Sequence, residues 1–282
     1  MDILQQIWNF IVYLFTLGGN FQWSLVGKYL FFPAVLNGVG LTLLLAVLSQ
    51  ATGAVIGLFL ALFKDPRFVI TASPPFDRII KWILAPLRLF ADFYIWIFRG
   101  TPLLVQLVIV FSVFPFFHIT VSAFTSAFLA LACNEGAYMA EIVRAGISSV
   151  DNGQMEAAKS LGMTYGQAMR RIVLPQAFRV IIPPLGNEFN SMMKNTSLAA
   201  VISLLELFGT AEAIAAALFA NLELYFVACI WYLTMTTLWG QVQKLLERRF
   251  SASKQIKLSQ PPWWQRATGM RSRPALALTE KK

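Results

Sequence analysis

Two stripes of polar side chains interrupt otherwise apolar stretches, and these are the residues whose types and spacing could do chemistry. Asn134, Tyr138 and Glu141 recur at helical spacing, with Glu135 beside them. Asn187, Ser191 and Lys194 follow at i, i+4 and i+7, with Asn195 adjacent and Glu188 on the flank. Each charge inside a membrane span costs roughly 2.5–3.5 kcal/mol, so each calls for a reason. One reason is a polar cavity for a zwitterionic solute, whose ammonium needs carboxylate or carbonyl partners and whose carboxylate needs a cation or N–H donors. The other is internal pairing, of Glu141 with Lys194 or with Arg144, and for Glu141 and Lys194 the structural role is favoured. The single histidine, His118, and the two cysteines, Cys133 and Cys229, form no set at metal-ligand spacing. No Ser/His/Asp or Cys/His set and no Gly-x-x-x-x-Gly-Lys-Ser/Thr phosphate loop occurs. The chain is therefore expected to be no enzyme, and to bind no metal and no cofactor of its own.

The elements that position these residues follow from composition. Of 282 residues, 57% are hydrophobic and only 13% charged, about half the roughly 25% of an ordinary soluble domain. Uncharged runs near the 20 residues needed to cross a bilayer recur. The expectation is an all-α polytopic membrane protein with about five spans: 36–63, 98–117, 119–142, 180–208 and 222–246. The net charge of +9 gathers at 64–99, 144–194 and 244–282, alternating with uncharged spans as cytoplasmic loops do. This distribution argues against a nucleic-acid face, which needs one basic stripe on a folded surface. It places the N-terminus outside and the C-terminus in the cytoplasm.

Three regions are expected: an interfacial or outer segment at 1–35, a membrane domain at 36–250, and a disordered cytoplasmic tail at 251–282. In the first span Ser49, Gly53, Gly57 and Ala61 form a small-residue stripe that permits close helix approach. Residues 64–99 form a basic linker with a Ser-Pro-Pro turn at 73–75 and a helix at 76–93 suited to the membrane surface.

The longest polar interruption, at 148–178, parses as helix, glycine turn, helix. Asp151 can cap the first helix, Gly162 can end it in a left-handed conformation, and Thr164 with Gln167 makes a capping box for the second. Leu174-Pro175 marks its expected limit. Within this segment Glu156-Ala157-Ala158, Gly162, Ile172 and Leu174-Pro175 occur at the spacing of the "EAA" loop, preceded by Gly153-Gln154. The segment resembles the coupling loop of ATP-binding-cassette importer permeases of type I. The stretches Phe98 to Leu107, Gly136 to Ile142 and Lys194 to Leu198 resemble the polar amino-acid (histidine/glutamine permease-like) branch of that family.

The resemblance spans about residues 36–250. It implies a helix-turn-helix that docks on a separate ATPase dimer through Gly153, Gln154, Glu156, Ala157, Ala158, Gly162, Ile172, Leu174 and Pro175. ATP and magnesium would then be bound by that partner. It also implies a second permease copy, identical or related, an external substrate-binding protein, and residence in the bacterial cytoplasmic (inner) membrane. The path for a polar amino acid or derivative would be lined by Gln106, Asn134, Glu135, Tyr138, Glu141, Asn187, Ser191, Lys194, Asn195 and Thr196. Glu135 departs from the family pattern, which has a small residue there, and so favours a basic substrate. The rival readings are an ion-coupled secondary transporter, which would show inverted repeats that the sequence lacks, and a non-transporting membrane scaffold.

Overall fold

The chain was analysed as a computed structural model, which describes residues 3–16, 21–64 and 76–250. It divides into two units, Met1–Phe250 and Ser251–Lys282. The expected tail at 251–282 and the turn at 73–75 lie outside the described residues.

All regular elements among the described residues are helical, as the apolar periodicity requires. They are α1 (Ile3–Thr16), α2 (Trp23–Leu30), α3 (Pro33–Lys64), α4 (Phe76–Gly100), α5 (Leu103–Phe116), α6 (Ala123–Ser148), α7 (Asn152–Ser160), α8 (Tyr165–Ala168), α9 (Leu174–Asn195), α10 (Leu207–Leu218) and α11 (Asn221–Phe250). A π turn at Met169–Val173 joins α8 to α9, and a 3-10 turn at Thr196–Ile202 follows α9. By length and composition α3 and α11 can each cross a membrane alone, and two bent pairs, α4 with α5 and α9 with α10, can each do so jointly. The 26 residues of α6 reach about 39 Å at 1.5 Å per residue, long enough to cross, but α6 is not apolar enough to stand with those helices by composition.

The deepest packing is between α3 and α6. A Cβ on Gly53 would stand 2.6 Å from Glu135 Cβ, and one on Gly57 would overlap Met139 Cβ. The small-residue stripe thus does what lipid demands of it, letting two backbones approach where no hydrophobic effect draws helices together. Around this pair a core forms from Val35, Leu45, Leu107, Leu131, Met193, Leu207 and Leu224. Residues 21–35 join it: Phe21 and Val26 are buried in the core, Gln22 N donates to Glu223 and the Trp231 indole donates to the Leu30 carbonyl.

Three boundaries differ from expectation. The second span does not begin near Phe98, because Phe98 to Gly100 close α4, and the chain then turns by 110° into α5. Pro102 at the α5 N-cap cannot supply the N–H that a continuous helix would need. The surface helix foreseen at 76–93 runs on to Gly100 because Ala91 and Ile95 bury against Leu60, Ala137 and Ala140. Leu174-Pro175 does not stop the second short helix, which runs on through the π turn into α9. Pro175 lies in the first turn of α9, where its missing N–H costs nothing. The preceding backbone widens by one residue, so that Leu174 N bonds the Met169 carbonyl.

A break also divides α9 from α10. Ser203 takes a left-handed conformation (φ 61°), and Glu206, fully buried, caps α10 by accepting from the N–H groups of Phe208 and Gly209. Thr42 of α3 and Tyr232 of α11 donate to the same carboxylate. Thr42 in turn accepts from Leu207 N. Non-helical backbone survives at membrane depth only when protein groups satisfy it, and Glu206 supplies that satisfaction from one side chain.

Candidate functional site

The coupling segment is a small folded body. Asp151 Oδ1 accepts from Gly153 N at 2.6 Å and starts α7. At the other end Gly162 (φ +78°) lets Gly162 N reach the Lys159 carbonyl and Met163 N reach the Ala158 carbonyl. This double bond pattern is a Schellman close, for which a residue without a Cβ is favoured. Thr164 and Gln167 then exchange both capping-box bonds, at 2.9 and 3.4 Å. The two helices share a core of their own with the feet of α6 and α9: Ile147, Val150, Met155, Ala158, Ala168, Val173, Ala177 and Ile181.

The residues expected at the docking face divide by burial. Ala158 is buried and Ile172 and Leu174 half-buried, so they hold the body together. Gly153, Gln154, Glu156, Ala157, Gly162 and Pro175 are exposed. Leu161, at the end of the short helix from Glu156 expected to dock, is 81% exposed at the tip of the turn. An apolar side chain so presented on a rigid body is an available contact.

The path residues also separate into groups. Gln106 and Asn134 are buried and bonded to each other (Nδ2 to Oε1, 2.9 Å). Both also donate to the Phe98 carbonyl, and Gln106 donates to Thr101 as well. They form a clasp over the backbone freed at the α4–α5 bend. Glu135 is buried between α3 and α6, accepts from Gln50 Nε2 at 2.8 Å, and lies within the field of Glu188 on α9. Thr196 is buried and donates to the Met193 carbonyl. Asn187 is exposed and accepts from Gln243 of α11. Ser191 and Asn195 are half-buried on α9.

Glu141 gathers cations from three helices. Its carboxylate lies 2.6 Å from Arg144 Nη2, 3.3 Å from Lys64 Nζ and 3.9 Å from Arg99 Nη1, and Lys64 also pairs with Asp92 at 2.9 Å. Lys194 is exposed and is not among these partners. Of the two pairings open to Glu141, the one with Arg144 forms. The one with Lys194 does not: Lys194 is exposed in the last turn of α9, while the α9 residues beside Glu141 are Val180, Pro184 and Glu188. Arg99 lies over the Tyr138 ring, 5.4 Å from its centroid. Between α4, α6 and α9 a cavity of about 330 Å³ opens beside this group, lined by Arg99, Tyr138, Glu141, Arg144 and Glu188 among others. Composition could not reveal Lys64 and Arg99 as partners of Glu141, since they are far away in sequence.

Residues 81–252 match the family of binding-protein-dependent transport system inner membrane components. This chain belongs to that family. It is accordingly a multi-pass inner membrane protein, and the matched region holds the capped body at 151–175 and both polar stripes. Among its relatives, an L-cystine transport system permease protein of Bacillus subtilis is 41% identical, with 83% of this chain and 93% of the relative covered. An arginine transport system permease protein of Corynebacterium glutamicum is 38% identical over 82% of this chain and 72% of its own. A crystallised amino acid ABC transporter is 40% identical with a TM-score of 0.67, covering 77% of this chain and 94% of that one. The inward-facing MetNI methionine ABC transporter, at 17% identity and TM-score 0.62, shares the fold.

Proposed function

We propose that this chain is the permease subunit of an ATP-binding-cassette importer for a polar amino acid, and that it carries no ATPase of its own. The observation that carries the reading is the body at 151–175. It is doubly capped, has its own apolar core, is fixed to the feet of α6 and α9, and shows an exposed face containing Glu156, Ala157 and Leu161. A rigid body of this kind transmits displacement instead of absorbing it. Docked on a separate nucleotide-binding subunit, it would swing α6 and α9 when ATP closes that subunit's dimer, a two-state change biased by nucleotide on one side and by substrate on the other.

Two permease copies would build the path, and an external binding protein would deliver the solute. The N-terminus would be outside and the C-terminus cytoplasmic. The names of the relatives, which handle cystine and arginine, support an amino-acid substrate, and Glu135 favours a basic one. The test is reconstitution of the permease with its ATPase subunit and binding protein in proteoliposomes. ATP-dependent accumulation of radiolabelled amino acid is expected. Accumulation that follows an ion gradient without ATP would overturn the reading.

A further inference from the structure

The charges around Glu141 do not cancel within their own network. Among the described residues Lys64, Arg99 and Arg144 face Glu141 and Asp92, so three cations meet two anions. Arg144 and Lys64 are hydrogen-bonded to the Glu141 carboxylate. Arg99 is the surplus: it reaches Glu141 only at 3.9 Å and donates no hydrogen bond to any described residue. Its guanidinium is nevertheless held in place by the Tyr138 ring. Across the same cavity stands Glu188 of α9, half-buried and with neither hydrogen bond nor ion pair among the described residues. The two are close enough for Arg99 to act on Glu188 electrostatically, yet too far apart to form an ion pair.

Arg99 and Glu188 thus face one cavity of about 330 Å³, each with hydrogen-bonding capacity that no described residue takes up. The volume lies at the lower end of the roughly 300–1,000 Å³ of small-molecule sites. We propose that this cavity holds the α-groups of the transported amino acid, the carboxylate on the Arg99 guanidinium and the ammonium on Glu188, with the Tyr138 ring keeping the guanidinium plane in position. The inference rests on the amino-acid reading above and deepens it, since it assigns the part of the solute that all α-amino acids share. A planar fork of N–H donors matches a carboxylate in two parallel bonds. A half-buried carboxylate with free acceptors matches an ammonium.

The assembled transporter, permease with ATPase subunit in lipid nanodiscs without nucleotide, is titrated with L-arginine, L-glutamine and L-cystine. The one bound most tightly is compared with its α-carboxamide and its Nα-acetyl derivative. The wild type should prefer the free amino acid over each derivative by at least about tenfold, the factor that a charge-assisted hydrogen bond carries. Arg99→Gln should abolish the preference over the carboxamide and keep that over the acetyl derivative. Glu188→Gln should do the reverse, and Arg99→Lys should retain part of the first. Variants that weaken all three ligands alike, or none, overturn the site, since a merely structural role changes affinity without changing discrimination. Uptake by the reconstituted importer without measurable binding to the wild-type transporter also overturns the site and leaves the amino-acid reading standing. Loss of both binding and uptake for all three amino acids in the wild type overturns the two together.

Discussion

Gly162 is the residue on which the coupling proposal turns most directly. At φ +78° any L side chain carries a strain of about 1–2 kcal/mol, and the pair of hydrogen bonds closing α7 is lost if the turn relaxes. Gly162→Val is expected to lower ATP-driven uptake several-fold in an assembled complex, read as transport rate per ATP hydrolysed. Unchanged coupling would remove the lever from the account. Leu161, one residue earlier, tests the docking face without disturbing the fold, because its side chain is 81% exposed. Leu161→Asp should weaken co-purification of the ATPase subunit while leaving thermal stability within about 0.5 kcal/mol, as surface substitutions do. For Glu135, replacement by Gln should reduce uptake of arginine and lysine more than that of neutral amino acids. Equal losses across a substrate panel would reassign it to packing between α3 and α6.

At the scale of elements, the pairing of α3 with α6 and the break before α10 are the two stabilising features most open to test. Gly57 admits no Cβ, since one would overlap Met139. Gly57→Val is expected to destabilise by roughly 1–3 kcal/mol through overpacking, measured as a lower unfolding temperature in detergent. Glu206 satisfies two backbone N–H groups, Thr42 and Tyr232 together. Glu206→Ala leaves those donors unmatched, at about 1–3 kcal/mol for each that stays buried, and should cost more than the N-cap loss of about 1 kcal/mol alone. The same thermal assay decides it, and a change below 1 kcal/mol would show that water or a rearranged Tyr232 takes the carboxylate's place. These elements were legible in unequal measure. The stripe Ser49, Gly53, Gly57 and Ala61 revealed a close helix contact because small residues every four positions have one physical use in lipid. The caps at Asp151, Gly162 and Thr164 were equally readable, being local bonds within a few residues of each other. Glu206 gave no such signal, since two of its four partners, Thr42 and Tyr232, become meaningful only once α3, α10 and α11 converge.

For the whole molecule, the decisive question is whether force entering at 151–175 reaches the polar interior. The apolar core of the coupling body includes Ile147 of α6 and Ala177 and Ile181 of α9. The cavity beside Arg99 is lined by residues of the same two helices together with α4. One element pair therefore carries both the proposed motor contact and the proposed solute cavity.

The amino-acid sequence by itself determined the class of protein, the helical character of its apolar runs and the caps of the coupling body, because each depends on hydrophobic length or on bonds between near neighbours; where the spans bend was not readable from it. It also showed polar side chains within apolar runs, since charge in an apolar run is plain from composition. Which of those side chains meet was decided only by the tertiary structure. Gln106 and Asn134 close on the α4–α5 bend, Glu141 draws in Lys64 and Arg99 in place of Lys194, and Glu188 is left facing Arg99 across a cavity. The physical reason is that ion pairs and cavities belong to the crossing of helices distant in sequence, and no periodicity within one helix specifies its partner.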